Sequence, residues 1–407
     1  MATRKPVIRV VGSLNIDFVT RTPRVPGPGE TLQATSMTVH AGGKGANQAV
    51  ACGKAAFISS SHQDVTVEMI GAVGHGDPYY ATLLKPTLEA GGVSTTGVAE
   101  IEGVQTGTAT IIVDEGSNGE NRILVVPGAN HRVVTDDGNE QQAQNGKQLV
   151  LSSSDDNDPD VVVMQGEIPR STVLALLHRF NNNSASLGQR KSKTCVVFNP
   201  APVFPDGIPI DALRGLAVLV VNETECLLLF KVVQELAATV DDVPASEQDL
   251  DEAHLDRLTG KLHDLAAISV VVVTLGSRGV YYSSSTTATT TTATHGSQGK
   301  CAALHESANP SNISDALIET RQQETQRGLV PAVKVPKVVD TTAAGDTFVG
   351  YLATALARHV SGGSPNDSGN DLASFDVQSA VTRANQAAAK CVQRDGAMES
   401  IPFGYEL

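Results

Sequence analysis

The sequence predicts an α/β fold in which helices cover a mostly parallel central sheet. Six short runs of β-branched residues have continuous rather than alternating hydrophobicity, which is typical of strands buried on both faces. Helical stretches lie between several of these runs, and polar or glycine residues follow each of them. The 407 residues, 41% of them apolar, are enough for one large domain of this class or for two domains.

The predicted strands follow one another along the whole chain. They cover residues 7–11, 67–71, 160–164, 194–198, 217–221 and 269–274. Helices are predicted at residues 172–180, 255–266 and 346–359, the last because Phe348, Leu352 and Leu356 recur near helical spacing.

Two segments, residues 17–40 and 105–128, do not fit the parallel pattern. Within the second, strand-forming residues at 108–113 and 122–126 flank a turn-rich loop, which indicates a hairpin. We expect these strands to form a flap over the ligand crevice. Four low-complexity stretches, at about 136–158, 181–193, 283–328 and 361–371, lack apolar content and are interpreted as flexible surface insertions.

Composition excludes several function classes. The net charge is −14, with seven acidic residues between positions 241 and 256 and no Lys or Arg among them, which argues against nucleic-acid binding. The apolar runs are strand-length, so no membrane span is expected. Five scattered cysteines without paired spacing favour reduced thiols in an intracellular protein over a zinc cluster. The first nine residues have no secretory pattern, so we expect a cytoplasmic protein, with another intracellular compartment as the alternative.

Polar residues follow the predicted strands at the point where each strand ends. They include Asn15, Asp17, Gln165, Glu167, Asn199, Asn222 and Glu225. In an open parallel sheet the ligand crevice lies beyond the carboxyl ends of the strands. The sequence therefore predicts one site assembled from many loops.

The most informative stretch runs from Asp340 to Asp346. Two carboxylates bracket five small residues, directly before the predicted helix at 346–359. Small residues let backbone N–H groups approach an anion, and the helix adds partial positive charge at its first turn. This layout predicts a phosphate-handling site, whereas the alternative is that either aspartate only caps the helix.

A second glycine-rich motif spans Gly42-Gly-Lys-Gly-Ala-Asn-Gln48. Its glycines allow close backbone approach to a small polar ligand, while Lys44 and Asn47 offer donors to hydroxyl groups or phosphate. It is not a Walker A loop, because no Gly-Lys pair in the chain is followed by Ser or Thr.

Together, these motifs resemble the ribokinase family of carbohydrate kinases, of phosphofructokinase-B type. The resemblance rests on motifs at residues 12–17, 26–31, 42–48, 199–202, 222–225, 274–279 and 340–346, in that order. It implies a single three-layer α/β/α domain over residues 1–407 with a small β-sheet lid. It also implies ATP-dependent phosphorylation of D-ribose at the 5-hydroxyl by direct in-line transfer. A kinase for 2-deoxyribose or another pentose, and a non-catalytic sugar-binding sensor, remain alternatives.

The resemblance assigns roles to individual positions. Sugar contacts are expected from Asn15, Asp17, Gly43, Lys44, Asn47 and Glu167. Asp346 is expected to be the general base, with Ala343, Ala344 and Gly345 as an anion hole for the transferred phosphoryl group. The nucleotide and its Mg²⁺ are expected at Asn199, Asn222, Glu225, Thr274, Gly276, Gly279, Gly345 and Asn385.

The resemblance further implies a potassium site beside the anion hole and a homodimer joined through the lid strands. The cation positions are Asp340, Thr342, Cys391, Arg394, Gly396 and Ser400, mostly through backbone oxygens. The alternative is that Asp340 simply braces the loop.

Overall fold

The computed structural model describes residues 4–117, 120–135, 148–151, 158–181, 194–238, 243–292, 318–362 and 372–407. The strands of this part are β1 Val7–Val11, β2 Asn15–Thr22, β3 Ser36–Gly42, β4 Phe57–Ser59, β5 His62–Gln63, β6 Thr66–Gly74, β7 Val93–Ile101, β8 Gly107–Asp114, β9 Glu120–Val126, β10 Val133–Thr135, β11 Leu149–Leu151, β12 Val161–Met164, β13 Cys195–Phe198, β14 Val218–Asn222, β15 Val270–Thr274, β16 Val280–Thr292 and β17 Ile318–Val330. The α-helices are α1 Lys44–Ala55, α2 Lys85–Ala90, α3 Arg170–Asn181, α4 Ile210–Leu213, α5 Glu223–Val232, α6 Gln234–Ala237, α7 Glu252–Ala266, α8 Ala344–Gly362 and α9 Val377–Cys391.

The central sheet has the strand order β17-β16-β15-β14-β13-β12-β1-β6-β7. All pairs from β15 to β7 are parallel, and only β16 and β17 run antiparallel at one edge. The six strands predicted from continuous hydrophobicity all form and lie side by side. The prediction of a mostly parallel sheet is confirmed.

Burial on both faces explains why these strands do not alternate in polarity. Along β12, Val161 and Val163 belong to the core beneath α1, α8 and α9, whereas Val162 and Met164 belong to the core beneath α3, α5 and α7. Successive side chains of a strand point to opposite faces, so a strand with helices on both sides needs apolar residues at every position. The result is the predicted α/β architecture in three layers.

A four-stranded sheet with the order β3-β2-β8-β9 forms the lid. The hairpin predicted at 108–113 and 122–126 is confirmed, because β8 and β9 pair antiparallel with Thr108 opposite Val126. Strand β2 pairs parallel with β8 and antiparallel with β3, so both irregular segments meet in one sheet.

The structure differs from the interpretation of residues 283–328 as a flexible insertion. Both ends of this segment belong to β16 and β17, which pair antiparallel from Val280 opposite Val330 to Thr292 opposite Ile318. Threonine-rich sequence contributes little apolar surface, but its β-branched residues favour strands, and paired strands satisfy their own backbone hydrogen bonds. Residues 148–151 likewise include the short strand β11, and Asn181 and Gly362 still belong to α3 and α8. Asp158 is also described and forms an ion pair with Arg179, and Ser361 lies in α8. The other residues of the four proposed insertions lie outside the described ranges.

No helix in the described ranges is both long enough and apolar enough to cross a membrane.

Candidate active site

The polar residues predicted to converge do meet at the carboxyl edge of the sheet. Side-chain hydrogen bonds link residues that follow three neighbouring strands: Gln165 after β12, Asn199 after β13 and Glu225 after β14. The links pass through Gln48 of α1, which follows the glycine-rich motif. The crevice beyond the strand ends is therefore a single site, built from segments far apart in the chain.

Asp346 lies at its centre, in the first turn of α8, with 7% of its surface exposed. Asn47 Nδ2 donates to its Oδ2 at 2.9 Å, and Gln48 Nε2 donates to its Oδ1 at 2.9 Å. Both donors come from α1, which packs so closely on α8 that a Cβ at Gly350 would lie 2.3 Å from the Cβ of Ala51. The glycine-rich motif and the Asp340–Asp346 motif thus form one constellation.

The small-residue loop turns sharply before α8. Ala343 has a φ of 59°, in the left-handed region that few non-glycine residues adopt, and α8 begins at the next residue. A side chain at Gly345 would meet no atom within 4 Å, so this turn is open to the space in front of it. A helix N-terminus that opens on a cleft suits an anion, which agrees with the predicted anion hole.

The cleft in front of this turn has a volume of about 960 Å³. Its lining includes every predicted nucleotide residue: Asn199, Asn222, Glu225, Thr274, Gly276, Gly279, Gly345 and Asn385. Val333, Val335 and Val338 supply an apolar wall beside them. A cleft of this size, largely apolar with a few convergent polar groups, is typical of a small-molecule or nucleotide site.

The polar end of the cleft is acidic and structured by α5. The side chain of Asn222 accepts a bond from Glu225 N at 2.7 Å, and Glu225 Oε2 accepts one from Asn222 N at 2.9 Å, which together form a capping box. Burial raises the pKa of Glu225, although the Asn222 N–H bond and the charge of Lys44 act against that rise.

A second polar region, the Asp17 region, includes Asp17, Asn47 and Glu167 and lies next to Asp346. Asp17 on β2 is 9% exposed, and burial, followed by the charges of Glu167 and Asp346, raises its pKa to about 7. Asp17 Oδ1 and Asn47 Oδ1 are buried acceptors without a hydrogen-bond partner within the described part of the chain. Buried polar atoms normally have partners, so two unpaired acceptors beside one carboxylate indicate a ligand that brings hydroxyl donors.

Hydrogen bonds from neighbouring residues orient the polar side chains of this region. Ser13 Oγ and the backbone N of Lys44 both donate to Glu167 Oε2, at 2.5 and 3.0 Å, and Asn130 Nδ2 donates to Asn15 Oδ1 at 2.7 Å. Gly43 has a φ of 91°, and a Cβ at Gly42 would lie 2.0 Å from Asp17 Oδ2. The backbone conformation favours glycine at Gly43, whereas at Gly42 a Cβ would clash with the Asp17 carboxylate.

Lys44 lies between the Asp17 region and the large cleft, because its backbone N donates to Glu167 and the residue also lines the cleft. Burial acts to lower the pKa of its ammonium, but the charges of Asp346, Glu167 and Glu225 outweigh that effect and raise it. Its side chain lines the large cleft as well. Lys44 was predicted at the sugar positions, and the structure adds contact with the nucleotide cleft.

The predicted cation residues also gather, behind the anion loop. Asp340 accepts bonds from Thr342 N at 2.8 Å and Gly396 N at 3.2 Å, so it braces two loops. Cys391 Sγ lies 3.7 Å from Thr342 O and 3.0 Å from Ser400 Oγ. The guanidinium of Arg394 instead forms an ion pair with Glu406, at 2.8 Å. In the described ranges no three His, Cys, Asp or Glu side chains cluster tightly enough to hold a metal ion.

Sequence reasoning missed three contributors. Gln48 and Ser13 stand inside quoted motifs, and Gln48 could have been found as the polar residue directly after Asn47 in the glycine-rich motif. Asn130 follows the lid hairpin and carries no local signal, since its contacts with Leu14 and Asn15 span more than a hundred residues.

Comparison with known proteins agrees with this geometry. A family model described as pfkB family carbohydrate kinase matches residues 6–298 and 315–403. The ribokinase of Schizosaccharomyces pombe is 32% identical, over 98% of this chain and 96% of the relative. A Salmonella typhimurium deoxyribokinase is 27% identical, over 97% of this chain and 95% of its own.

Solved structures show the same fold. The Cryptococcus neoformans ribokinase in complex with ADP has a TM-score of 0.62 and 26% identity, and the comparison covers 98% of each chain. The Thermotoga maritima ribokinase has a TM-score of 0.62 and 28% identity, over 98% of this chain and 97% of that one. With its family match, its relatives and its fold in agreement, the chain belongs to the pfkB family of carbohydrate kinases and is a sugar kinase of the ribokinase type.

Proposed function

We propose that this protein transfers the γ-phosphoryl group of ATP to the 5-hydroxyl of D-ribose, giving ribose 5-phosphate and ADP. Relatives named ribokinase support ribose as the sugar, and the ADP complex of the Cryptococcus relative supports the nucleotide. Transfer is direct and in line, because the site offers positioning and charge rather than a separate nucleophile.

The observation that carries the proposal is the position of Asp346. Its anchored carboxylate lines a cleft of about 960 Å³ that suits a nucleotide. It also lies next to the Asp17 region, where two buried acceptors without a partner among the described residues suit a polyol. The sugar hydroxyl attacks phosphorus, Asp346 takes its proton, and ADP leaves. The N-terminus of α8, at Ala343, Ala344 and Gly345, stabilises the negative charge on the transferred group.

Two ions complete the proposal. Mg²⁺ prefers one or two carboxylates and keeps most of its water, so Glu225, Asn199 and Asn222 fit it beside the nucleotide phosphates, whose charge it would neutralise. Potassium is bound mainly by backbone carbonyls, which the loops at residues 340–342 and 391–400 can supply. Asp340 would then hold both loops in place around the cation. The thiols of Cys52, Cys226 and Cys391 are buried and form no disulfide within the described residues, which supports a reducing compartment, and we place the protein in the cytoplasm.

A coupled assay for ADP formation tests the function directly. The purified protein is given ATP, Mg²⁺ and K⁺ with ribose, 2-deoxyribose, other pentoses, hexoses or nucleosides. We expect the highest kcat/KM with ribose. Because deoxyribokinases are among the relatives, 2-deoxyribose is the main competing substrate, and a higher kcat/KM for it would replace ribose in the proposal. Ribose binding without ADP formation would instead indicate a sensor.

A further inference from the structure

Among the described residues, Gln48 is the side chain that forms hydrogen bonds with both Asp346 and Asn199. It therefore connects the proposed base with a residue of the nucleotide cleft. It is fully buried on α1. Its Nε2 donates to Asp346 Oδ1 at 2.9 Å and to Asn199 Oδ1 at 3.1 Å, and its Oε1 accepts from Gln165 Nε2 at 2.6 Å. Both amide protons and the carbonyl oxygen are therefore used.

The direction of these bonds is fixed from one end. Asn199 Nδ2 faces the backbone carbonyl of Val220 at 2.9 Å, and a carbonyl can only accept. Asn199 must then present its oxygen to Gln48, so Gln48 must present its nitrogen. The same nitrogen reaches Asp346, whose carboxylate is also an acceptor. A rotated Gln48 amide would place its oxygen against two acceptors, which is strongly unfavourable for buried groups.

Asn199 extends the connection to the proposed magnesium carboxylate, since its Nδ2 also lies 3.4 Å from Glu225 Oε2. A single amide thus sets the distance and orientation between the base on one side and the nucleotide-organising residues on the other. In-line transfer depends on that relation, because a misplacement of about 1 Å can reduce the rate about 100-fold.

We propose that Gln48 is a positioning residue that fixes the carboxylate of Asp346 relative to Asn199 and Glu225, and that it acts by donating both amide protons. The inference rests on the proposed role of Asp346 as base. Gln48 is fully buried and does not line the cleft of about 960 Å³, so its removal should reduce kcat while leaving the binding of sugar and nucleotide almost unchanged.

The decisive experiment is a double-mutant cycle of Gln48→Met with Asp346→Asn. Methionine keeps the length and volume of glutamine and removes both donors. Alone, Gln48→Met should reduce kcat about 10- to 100-fold, the effect of losing a hydrogen bond to a charged group. Sugar and nucleotide Kd, measured by calorimetry, should change by less than about threefold. In the Asp346→Asn background the same change should reduce the residual kcat by less than about threefold, because the carboxylate on which it acts is gone.

A matched control is available at Gln63 on β5, whose side chain contacts the same helix. Gln63 Nε2 donates to the carbonyls of Gly53 on α1 and Gly92, at 3.3 and 3.0 Å, and does not contact Asp346. Gln63→Met makes the same chemical change and should alter kcat by less than about threefold. Equal losses in the two variants, or an equal loss from Gln48→Met in both backgrounds, would overturn the proposal.

Gln165→Met is a second variant that tests the proposal even if Gln48→Met does not fold. It leaves both Gln48 donors in place but removes the group that orients their amide, so kcat should fall by a smaller factor of about 3 to 10. An unchanged kcat in this variant would contradict the proposal. All rates are measured with whichever sugar the wild type phosphorylates fastest. A wild type inactive on ribose, or an active Asp346→Asn, is then a failure of the proposed function, whereas a normal kcat in Gln48→Met beside an inactive Asp346→Asn is a failure of this inference alone.

Discussion

At the scale of single residues, the site is organised around two carboxylates in different environments. Asp346 has a donor on each oxygen, from Asn47 and Gln48, and so has one orientation. Asp17 is buried beside other acids and has an unpaired oxygen, and its pKa is raised to about 7. The first arrangement suits a group that must act in place, and the second suits a group that waits for a ligand.

The change Asp346→Asn tests the base. The amide cannot accept the proton of the sugar hydroxyl, and removal of a general base reduces the rate about 10² to 10⁴-fold. Binding of ATP and ribose should persist, because the amide occupies the same volume. Single-turnover measurements together with calorimetry separate the two effects, and near-normal turnover would reject the assignment.

The change Asp17→Asn tests how much the buried carboxylate of Asp17 lowers the free energy of unfolding. Its folded pKa of about 7 lies above the ordinary aspartate value of 3.8, so between these two pH values the native state holds a proton that the unfolded state has lost. The stability that this group contributes is therefore present below the unfolded pKa and is lost as the pH rises through the folded pKa.

Replacing the acid with a neutral amide should raise the free energy of unfolding of the ligand-free protein by about 1 to 3 kcal/mol at pH ~8, and by less at pH ~5. Ribose affinity should fall in the same variant, because a charged acceptor for its hydroxyls is gone. Urea denaturation at the two pH values and calorimetry with ribose measure both effects. A variant that is less stable than wild type at the higher pH would contradict the expectation.

At the scale of elements, the starts of helices carry much of the polar chemistry. The N-terminus of α8 opens on the cleft beside Asp346, and the N-terminus of α5 presents Glu225 through a capping box with Asn222. α1 starts at the glycine-rich motif and provides the donors to Asp346. Sequence patterns predicted the start of α8, but the contact between α1 and α8 depends on packing in the core.

The change Glu225→Gln separates the role of Glu225 in capping α5 from its proposed role in binding magnesium. Glutamine can keep the capping box, so stability should fall by less than about 1 kcal/mol. Loss of one charge from the proposed Mg²⁺ position should raise the half-saturating Mg²⁺ concentration about tenfold or more. ADP formation is measured against free Mg²⁺, with Glu252→Gln in the first turn of α7 as the control. An unchanged Mg²⁺ requirement would remove Glu225 from this role.

At the scale of the whole molecule, the lid has an exposed apolar edge. Strand β9 lies at the end of the lid sheet, and Ile123, Leu124, Val125 and Val126 are 47 to 67% exposed. An edge strand with unpaired backbone groups and apolar side chains favours association with another chain. A homodimer joined through the lid strands remains our proposal for this surface.

The change Leu124→Asp tests that dimer. A charge at the most exposed of these residues should dissociate the dimer, and light scattering should show the mass of one chain instead of two. Leu329→Asp, an exposed leucine on β17, serves as the control and should stay dimeric. A wild type that is monomeric at working concentration would contradict the proposal.

The proposed potassium site is tested on the unsubstituted protein by changing the salt. Activity is measured in K⁺ and in tetramethylammonium at matched ionic strength. We expect a lower rate in the organic cation, because it is too large to fit between the loops at residues 340–342 and 391–400. The oxygen atoms of these loops could not approach its charge closely. Equal rates would leave Asp340 as a brace between the two loops, held by its bonds to Thr342 and Gly396.

The sequence by itself determined the local features. Continuous hydrophobicity predicted the six parallel strands, turn chemistry predicted the β8–β9 hairpin, and two bracketing aspartates predicted the start of α8. These features depend on residues within a few positions of one another. The composition of residues 283–328 did not indicate strands β16 and β17, because pairing between these strands does not need the apolar content that a separate core requires.

Only the tertiary structure decided which groups meet. Asn47 and Asp346 are 299 positions apart, and their hydrogen bond exists because α1 packs against α8 with glycine at the contact. The same packing places Gln48 against Asp346 and Asn130 against Asn15. It also leaves one oxygen of Asp17 without a partner among the described residues and brings Lys44 to both Glu167 and the large cleft. Local pattern fixes which backbone forms, whereas the distances between distant side chains are set by the shape of the core between them.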